Sequence, residues 1–151
     1  MKINGKTYTL AKTTLADIKA IAPMKYIEGW APDDGEELIE CETDAAIDVE
    51  GMRFKVIFWF DVEDPEDPYD AARLAGMRLY PEHRDEDFFA NVIKWKNKIA
   101  RRYACILEDQ EDFMPFYSVE IAYPDEREDT WRLKMQLNAM SEEYEITIEV
   151  E

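Results

Sequence analysis

The sequence predicts a mixed α+β fold, in which an antiparallel sheet of five or more strands has one face covered by helices. Three observations support this prediction: an alternating apolar segment at residues 52–62, an apolar stripe of helical period in residues 85–107, and three alternating segments in the last third of the chain. The length of 151 residues suits a single domain, residues 1–151, with one hydrophobic core.

The central strand is predicted at residues 52–62, where Phe54, Phe58 and Phe60 fall on one face at period two. The preceding segment, residues 39–50, also alternates and fits as its antiparallel partner if Glu50-Gly51 forms a two-residue turn. This turn predicts Val49 opposite Met52, Ile47 opposite Phe54, Ala45 opposite Val56, Thr43 opposite Phe58 and Cys41 opposite Phe60, with Asp48 opposite Arg53 on the other face.

The first 37 residues contain signals for a hairpin, a helix and a loop. Asn4-Gly5 is typical of a tight turn between two short strands. Thr14 and Asp17 have the spacing of a capping box, which predicts a helix that Pro23 ends. Residues 23–37 contain prolines and glycines without any period, and we interpret them as a loop that carries Tyr26 and Trp30.

Two further helices are predicted after the central hairpin. Asp67 and Pro68 have the residue types of an N-cap and first helical position, so a helix is expected from there to about Leu79. A longer helix is expected from about Asp85 to Leu107 and should pack on the apolar face of the sheet. Its stripe consists of Phe88, Val92, Trp95, Ile99, Tyr103 and Ile106.

The last third of the chain reads as three antiparallel strands joined by short connections. A turn at residues 139–142 predicts the register of the last two strands. It places Leu137 opposite Tyr144, Met135 opposite Ile146 and Leu133 opposite Ile148, and on the other face Arg132 opposite Glu149 and Lys134 opposite Thr147.

The formal net charge is −17, which disfavours direct binding to nucleic acid or to an anionic membrane and favours a basic protein partner. The charge is unevenly distributed: residues 1–27 carry +4, residues 28–87 carry −15 and residues 88–151 carry −6. The start of the chain has no apolar signal segment, and Cys41 and Cys105 lack metal-binding or redox spacing. We therefore expect a cytoplasmic protein of a bacterial cell or of a phage-infected host.

Catalytic motifs are absent from the sequence, so we predict a protein without enzymatic activity and without a cofactor. The single histidine, His83, lies in a connection between predicted helices. One alternative is a divalent-metal-dependent hydrolase that uses the acidic loop at residues 61–70. That loop departs from the EF-hand pattern, because Glu66 and Ala72 occupy the positions of the required glycine and closing glutamate. A solvated loop with a helix cap is the simpler interpretation, and no metal site is assigned.

Carboxylates concentrated in residues 36–70 are the candidate partner-binding residues. Five of them, Glu40, Glu42, Asp44, Asp48 and Glu50, are predicted on one face of the strand before Gly51, where same-face neighbours are about 6.6–6.8 Å apart. Successive phosphates of one DNA strand are about 3.4 Å apart along the helix axis, and their true separation is longer because the backbone runs obliquely. The spacing of the carboxylates is therefore comparable with the spacing of the phosphates. An ordinary solvated face is the simpler alternative. The candidate set is Glu36, Glu37, Glu40, Glu42, Asp44, Asp48, Glu50, Asp61, Glu63, Asp64, Glu66, Asp67 and Asp70, with Tyr26 and Trp30 as secondary contacts.

In its size, its acidity and its lack of catalytic motifs, the chain resembles small phage-encoded inhibitors of host defence of the anti-CRISPR and anti-restriction type. The resemblance implies an inhibitor that presents carboxylates in place of DNA phosphates to a nucleic-acid-binding complex. The opening segment, residues 2–10, is also similar to the starts of phage tail assembly proteins. A structural or assembly protein is therefore the alternative, with an interface on the Tyr26 and Trp30 loop or on a sheet edge. A second copy of the chain, forming a homodimer, is a further candidate partner.

Overall fold

A computed structural model describes residues 1–27, 38–62, 66, 68–82, 87–102, 106–109, 117–122, 130–138 and 143–150. Two α-helices and two short 3-10 segments, Leu10–Lys12 and Tyr69–Ala71, accompany the strands in these ranges. The helices are α1 (Leu15–Lys19) and α2 (Phe88–Arg102). The strands are β1 (Lys2–Ile3), β2 (Lys6–Thr7), β3 (Met24–Ile27), β4 (Leu38–Thr43), β5 (Ile47–Val49), β6 (Met52–Asp61), β7 (Arg73–Pro81), β8 (Ile106–Asp109), β9 (Tyr117–Ala122), β10 (Thr130–Asn138) and β11 (Glu143–Val150).

The described strands form one antiparallel sheet, which confirms the predicted α+β class. The order along the sheet is β2-β1-β5-β6-β7-β11-β10-β9-β8. Strand β4 also pairs with β6, and β3 pairs with β4 at the margin of the sheet. The predicted central strand is therefore central in the structure, because β6 has β4 and β5 on one side and β7 on the other.

The predicted turn at Glu50-Gly51 is confirmed, since both residues have positive φ, 53° and 89°. The register next to the turn is also confirmed, with Val49 opposite Met52 and Ile47 opposite Phe54. Farther from the turn the predicted register is wrong. Cys41 lies opposite Phe58, not Phe60, and Ile39 lies opposite Phe60.

The register changes because residues 44–46 form a bend that interrupts the ladder between β4 and β5. The predicted pairings of Ala45 and Thr43 are lost at this bend. Because the register moves by two residues, the same side chains of β4 still face the core. The buried Thr43 hydroxyl accepts a hydrogen bond from the Val56 N–H at 3.0 Å, so the backbone donor at the interruption remains paired.

The predicted helix from Asp67 to about Leu79 is wrong, because residues 73–81 form strand β7. The helix was predicted from the residue types of Asp67 and Pro68, and a bulge breaks the alternation that would have indicated a strand. Trp59 lies opposite Gly76 and Phe60 opposite Leu74, so Ala75 is an extra residue in the ladder. The extra residue separates the buried side chains of Leu74 and Met77 by three positions, which is the spacing of a helical face. The proposed cap residue, Asp67, lies outside the described residues.

The N-terminal signals are largely confirmed. Asn4 and Gly5 form the turn between β1 and β2, and the Thr14–Asp17 capping box is present at the start of α1. Helix α1 is one turn shorter than predicted, since it ends at Lys19 well before Pro23.

Helix α2 begins at Phe88 and ends at Arg102, so the predicted extension to Leu107 is wrong and Ile106 begins strand β8. Val92, Trp95 and Ile99 are buried, as the apolar stripe predicts. The Trp95 ring lies 5.0 Å from that of Phe54, and its indole N–H donates to the Val49 carbonyl at 2.8 Å. Both helices contribute buried side chains to the core cluster that the inward face of β6 forms.

The predicted C-terminal hairpin is confirmed at all of its stated register positions between β10 and β11. The sequence did not predict that β11 pairs with β7, where Ile146 lies opposite Leu79 and Ile148 opposite Met77. This contact joins the C-terminal strands to the central sheet. Within the part of the chain that the structure describes, no helix combines the length and the apolar character needed to cross a membrane.

Candidate functional site

The predicted carboxylates occupy several different elements. Glu40 and Glu42 lie on β4, Asp48 lies on β5, and Asp44 is exposed in the bend between these strands. Asp61 ends β6, while Glu66 and Asp70 are exposed in the connection that leads to β7. The remaining predicted site residues lie outside the described residues: Glu36, Glu37, Glu63, Asp64, Asp67 and the aromatic Trp30.

The predicted row of five carboxylates along one strand face is wrong. Because residues 44–46 bend, Glu40 and Glu42 belong to one strand and Asp48 to another. The Asp48 carboxylate also accepts a hydrogen bond from the Gly51 N–H at 3.0 Å, so it supports the adjacent turn. Only Glu40 and Glu42 retain the same-face spacing of an extended strand.

Glu50 is not a surface residue, which corrects its assignment as a partner contact. Its left-handed backbone conformation places it in the turn, and only 1% of its side-chain surface is exposed. Glu50 Oε2 lies 2.6 Å from Arg102 Nη1, and Oε1 accepts the Lys2 N–H at 2.6 Å. The Lys98 ammonium donates to the Glu50 carbonyl at 2.6 Å. Glu50 therefore connects the N-terminal hairpin, the central turn and the end of α2.

Two lysines neutralise Glu42. Lys55 Nζ lies 2.5 Å from one carboxylate oxygen and Lys25 Nζ lies 2.9 Å from the other. These hydrogen bonds, first that of Lys55 and then that of Lys25, hold the pKa of Glu42 below its usual value. With 18% of its side-chain surface exposed and both oxygens occupied, Glu42 contributes little free negative charge to the surface.

Asp70 is paired in a similar way with a cation from the first 27 residues. Lys19 Nζ, at the end of α1, donates to Asp70 Oδ1 at 2.5 Å. The hydrogen bond to Asp70, followed by one to Tyr26, raises the pKa of Lys19 above its usual value. The positive N-terminal segment thus lies against the acidic middle block, and charges that are separate in the sequence meet in the fold.

Glu40 and Asp44 differ from these paired carboxylates, because neither forms an ion pair with any residue that the structure describes. Glu40 is half-buried and lies opposite Trp59 on β6 and Ile27 on β3. Asp44 is exposed, and its backbone N–H donates to the Pro23 carbonyl at 3.0 Å. These two carboxylates therefore stand beside opposite ends of β3.

Tyr26 does not lie in a loop, which corrects the prediction for residues 23–37. Met24–Ile27 is strand β3, and the Tyr26 side chain is 56% exposed. Lys19 Nζ lies 5.3 Å from the centre of the Tyr26 ring, within the range of a cation–π contact. Sequence analysis missed this strand because Met24 to Ile27 is short and has no strict alternation of apolar and polar residues.

The two lysines at Glu42 should have unequal effects on its pKa. We expect Lys55→Met to raise the pKa of Glu42 more than Lys25→Met, because the Lys55 hydrogen bond is shorter and is the larger cause of the shift. A carboxyl-detected NMR titration of both variants measures this difference. Equal shifts, or a larger shift in Lys25→Met, would contradict the assignment.

The lowered pKa of Glu42 makes the stability of the protein depend on pH. Because the folded-state pKa of Glu42 is lowered, its ion pairs stabilise the fold above the unfolded pKa, and this stabilisation is lost as the pH falls through the folded pKa. Both lysine side chains are well exposed, so solvent screening keeps this contribution to stability small.

Among the described residues, no group of three or more histidine, cysteine, aspartate or glutamate side chains is arranged to hold a metal ion. The acidic loop considered for metal binding is only partly covered by this finding, because Glu63, Asp64 and Asp67 lie outside the described ranges. Comparison with known protein families, with characterised proteins and with solved structures gives no match to this chain.

Proposed function

We propose that this chain is a non-enzymatic inhibitor that binds a basic, nucleic-acid-binding protein and blocks its cationic groove, in the manner of anti-CRISPR or anti-restriction proteins. In this proposal it acts in the cytoplasm of a bacterial cell or a phage-infected host and uses no cofactor. In the same proposal, the chain folds as a single α+β domain whose helices cover one face of the sheet.

The observation that carries the proposal is the charge of residues 28–87, which hold 20 acidic and 5 basic side chains. Such an excess destabilises a fold through self-repulsion. It also creates a long-range field that accelerates association with a cationic surface and opposes association with an anionic one. A role in binding a basic partner gives this charge a function.

The ion pairs narrow the set of carboxylates proposed for contact. Glu42, Glu50 and Asp70 are paired with cations of the same chain, so they are not the main contacts. The proposed contact set comprises Glu40, Asp44 and Asp48, together with Glu36, Glu37, Glu63, Asp64 and Asp67. Glu40 and Asp44 are its best-placed members, because neither forms an ion pair with a described residue.

The test is a pull-down from nuclease-treated host lysate, followed by binding measurements on the recovered partner across a salt series. We expect affinity to fall steeply with salt, because exposed charges are screened over about 8–10 Å near physiological ionic strength. A Glu40→Lys/Asp44→Lys variant should bind much more weakly than wild type. Glu42 is left unchanged, since a lysine there would meet Lys25 and Lys55.

A charge-matched variant, Glu143→Lys/Glu145→Lys, controls for the change in net charge. Both residues lie on β11, which pairs on the far side of β7 from β4. The Glu143→Lys/Glu145→Lys variant changes the net charge by the same amount as Glu40→Lys/Asp44→Lys. If the carboxylates of β4 contact the partner, the control variant should bind the partner considerably better than Glu40→Lys/Asp44→Lys does. Equal losses in the two variants would leave only a non-specific charge effect and would contradict the proposed contact set.

A phage structural or assembly protein is the second candidate, and the exposed Tyr26 on the marginal strand β3 favours it. Such a protein would depend on apolar and backbone contacts. If binding is insensitive to salt and only Tyr26→Ala and Trp30→Ala weaken it, the inhibitor proposal is wrong and the assembly function replaces it.

A further inference from the structure

Strand β3 pairs with β4 on one side, and on its other side it has no partner among the described strands. The Pro23 carbonyl accepts the Asp44 N–H, which marks this pair of positions as hydrogen-bonded. Hydrogen-bonded and non-hydrogen-bonded pairs alternate along an antiparallel ladder. In the observed register, Lys25 with Glu42 and Ile27 with Glu40 are then the bonded pairs. The N–H and C=O groups of Met24 and Tyr26 point away from β4, where no described strand pairs with them.

Apolar surface adjoins this edge. Tyr26 and Tyr69 are the two exposed large hydrophobic side chains among the described residues, with 56% and 52% of their surfaces exposed. The two tyrosines lie near the same lysine. The Lys19 ammonium contacts the Tyr26 ring and forms an ion pair with Asp70, which follows Tyr69 in the sequence. An extended segment added to β3 would therefore find backbone partners and at least one aromatic ring.

The charges beside the edge select the kind of segment. The two nearby cations, Lys25 on β3 and Lys19 beside Tyr26, are already paired with Glu42 and Asp70, so the carboxylates without an ion pair decide which segment is favoured. Glu40 lies opposite Ile27 at one end of β3, and Asp44 is hydrogen-bonded to Pro23 at the other. The backbone from Glu40 to the Asp44 N–H that pairs with Pro23 covers four residue steps, about 13 Å at the rise of an extended strand. An added strand would lie roughly 10 Å from β4, at two strand spacings, within the combined reach of a lysine or arginine and a carboxylate.

A second copy of the chain is a poorer occupant of this edge. Each copy carries a net charge of −17, and twofold pairing of β3 with itself would bring Glu40 and Asp44 of both copies towards the same ladder. Like charges brought together in this way oppose association. An extended segment rich in lysine or arginine gains from the same carboxylates.

We propose that β3 is a docking edge for strand addition by an extended basic segment of the partner protein. This inference rests on the proposed function, since it identifies the feature of the basic partner that the chain recognises. Main-chain hydrogen bonds from Met24 and Tyr26 hold the segment, and Glu40 and Asp44 select its basic residues.

The first test uses a labelled ten-residue peptide of alternating lysine and threonine. The control peptide has the same sequence but is N-methylated at every backbone amide, so that it has the same charge but lacks the N–H donors needed for strand pairing. We expect the lysine–threonine peptide to bind at least tenfold more tightly at physiological salt. Equal affinities, or no binding of either peptide, would overturn the proposal.

The second test compares two substitutions at one position. Tyr26→Ala and Tyr26→Pro both remove the aromatic ring, but only proline removes the outward N–H and fills the edge. Because this N–H does not pair with β4, both variants should retain the β3–β4 ladder, which circular dichroism and thermal melting check. We expect the peptide to bind at least tenfold more weakly to Tyr26→Pro than to Tyr26→Ala. Equal binding would contradict strand addition.

Amide hydrogen exchange in the wild-type protein provides a test that does not depend on any variant. In the free protein, the Lys25 and Ile27 amides should exchange slowly, and those of Met24 and Tyr26 should exchange rapidly. Saturating lysine–threonine peptide should protect Met24 and Tyr26 at least tenfold. Unchanged exchange at both amides would exclude docking at this edge.

The proposed function and the docking edge can fail separately. If Tyr26→Pro captures the basic partner as well as wild type does, the docking edge is wrong and the inhibitor function stands. If the peptide protects Met24 and Tyr26 but no salt-sensitive basic partner exists, the edge stands and the inhibitor function is wrong.

Discussion

Phe58→Ala should lower the free energy of unfolding by about 3–5 kcal/mol, the cost of replacing a large buried aromatic side chain and leaving a cavity. Phe58 is fully buried on β6, between Cys41 on β4 and Met77 on β7, and its ring lies 6.2 Å from that of Phe60. Because strands on both sides pack around it, the site has little freedom to collapse. Urea denaturation measures the change.

Ile57→Ala is the matched control for Phe58→Ala, since Ile57 is the preceding residue of the same strand and is half-buried on the opposite face. We expect a loss of about half as much free energy or less, in proportion to the smaller buried area. A loss below about 1 kcal/mol in Phe58→Ala would show that the side chain does not lie in the core.

Arg102→Ala should destabilise the protein by about 3 kcal/mol, because it removes the arginine that forms an ion pair with the buried Glu50 carboxylate. The Lys2 N–H still satisfies one carboxylate oxygen, which keeps the loss at the lower end of the range for broken buried ion pairs. Arg101→Ala is the control. Arg101 is exposed in the same turn of α2 and forms no ion pair with the described residues, so we expect a change within about 0.5 kcal/mol.

A double-mutant cycle separates the ion pair from the packing of the arginine stem. Glu50→Gln removes the buried charge and keeps nearly the same shape, so Arg102→Ala should cost markedly less in that background. If the cost of Arg102→Ala is the same with glutamate or glutamine at position 50, the carboxylate is not the reason for the loss, and the proposed role of Glu50 is contradicted.

Local patterns in the sequence predicted the elements that depend on neighbours in the chain. The Thr14–Asp17 cap, the turns at Asn4-Gly5 and Glu50-Gly51, and the β10–β11 register all depend on contacts within a few residues or across one short connection. The alternation in β6 was long enough to identify a central strand. Strand β7 was missed because Asp67 and Pro68 indicated a helix start and because the bulge breaks the alternation typical of a strand.

The candidate site was less predictable, because its chemistry depends on residues that are distant in the sequence. The composition identified the carboxylates, but the ion pairs Lys25–Glu42, Lys19–Asp70 and Arg102–Glu50 join segments that only the fold brings together. The edge position of β3 likewise depends on the order of strands in the sheet, which no local pattern in Met24–Ile27 encodes.

The bend at residues 44–46 has a consequence for how the length of this chain can vary. If Asp44 and Ala45 were absent, Thr43, Ala46 and Ile47 would lie opposite Val56, Lys55 and Phe54 in one uninterrupted ladder, with Thr43 and Ile47 still facing inward. Removing a single residue would instead turn the outward side of one strand towards the core. Related chains should therefore differ here by insertions or deletions of two residues and not of one, and such a step would also remove or restore the carboxylate at position 44 without disturbing the core.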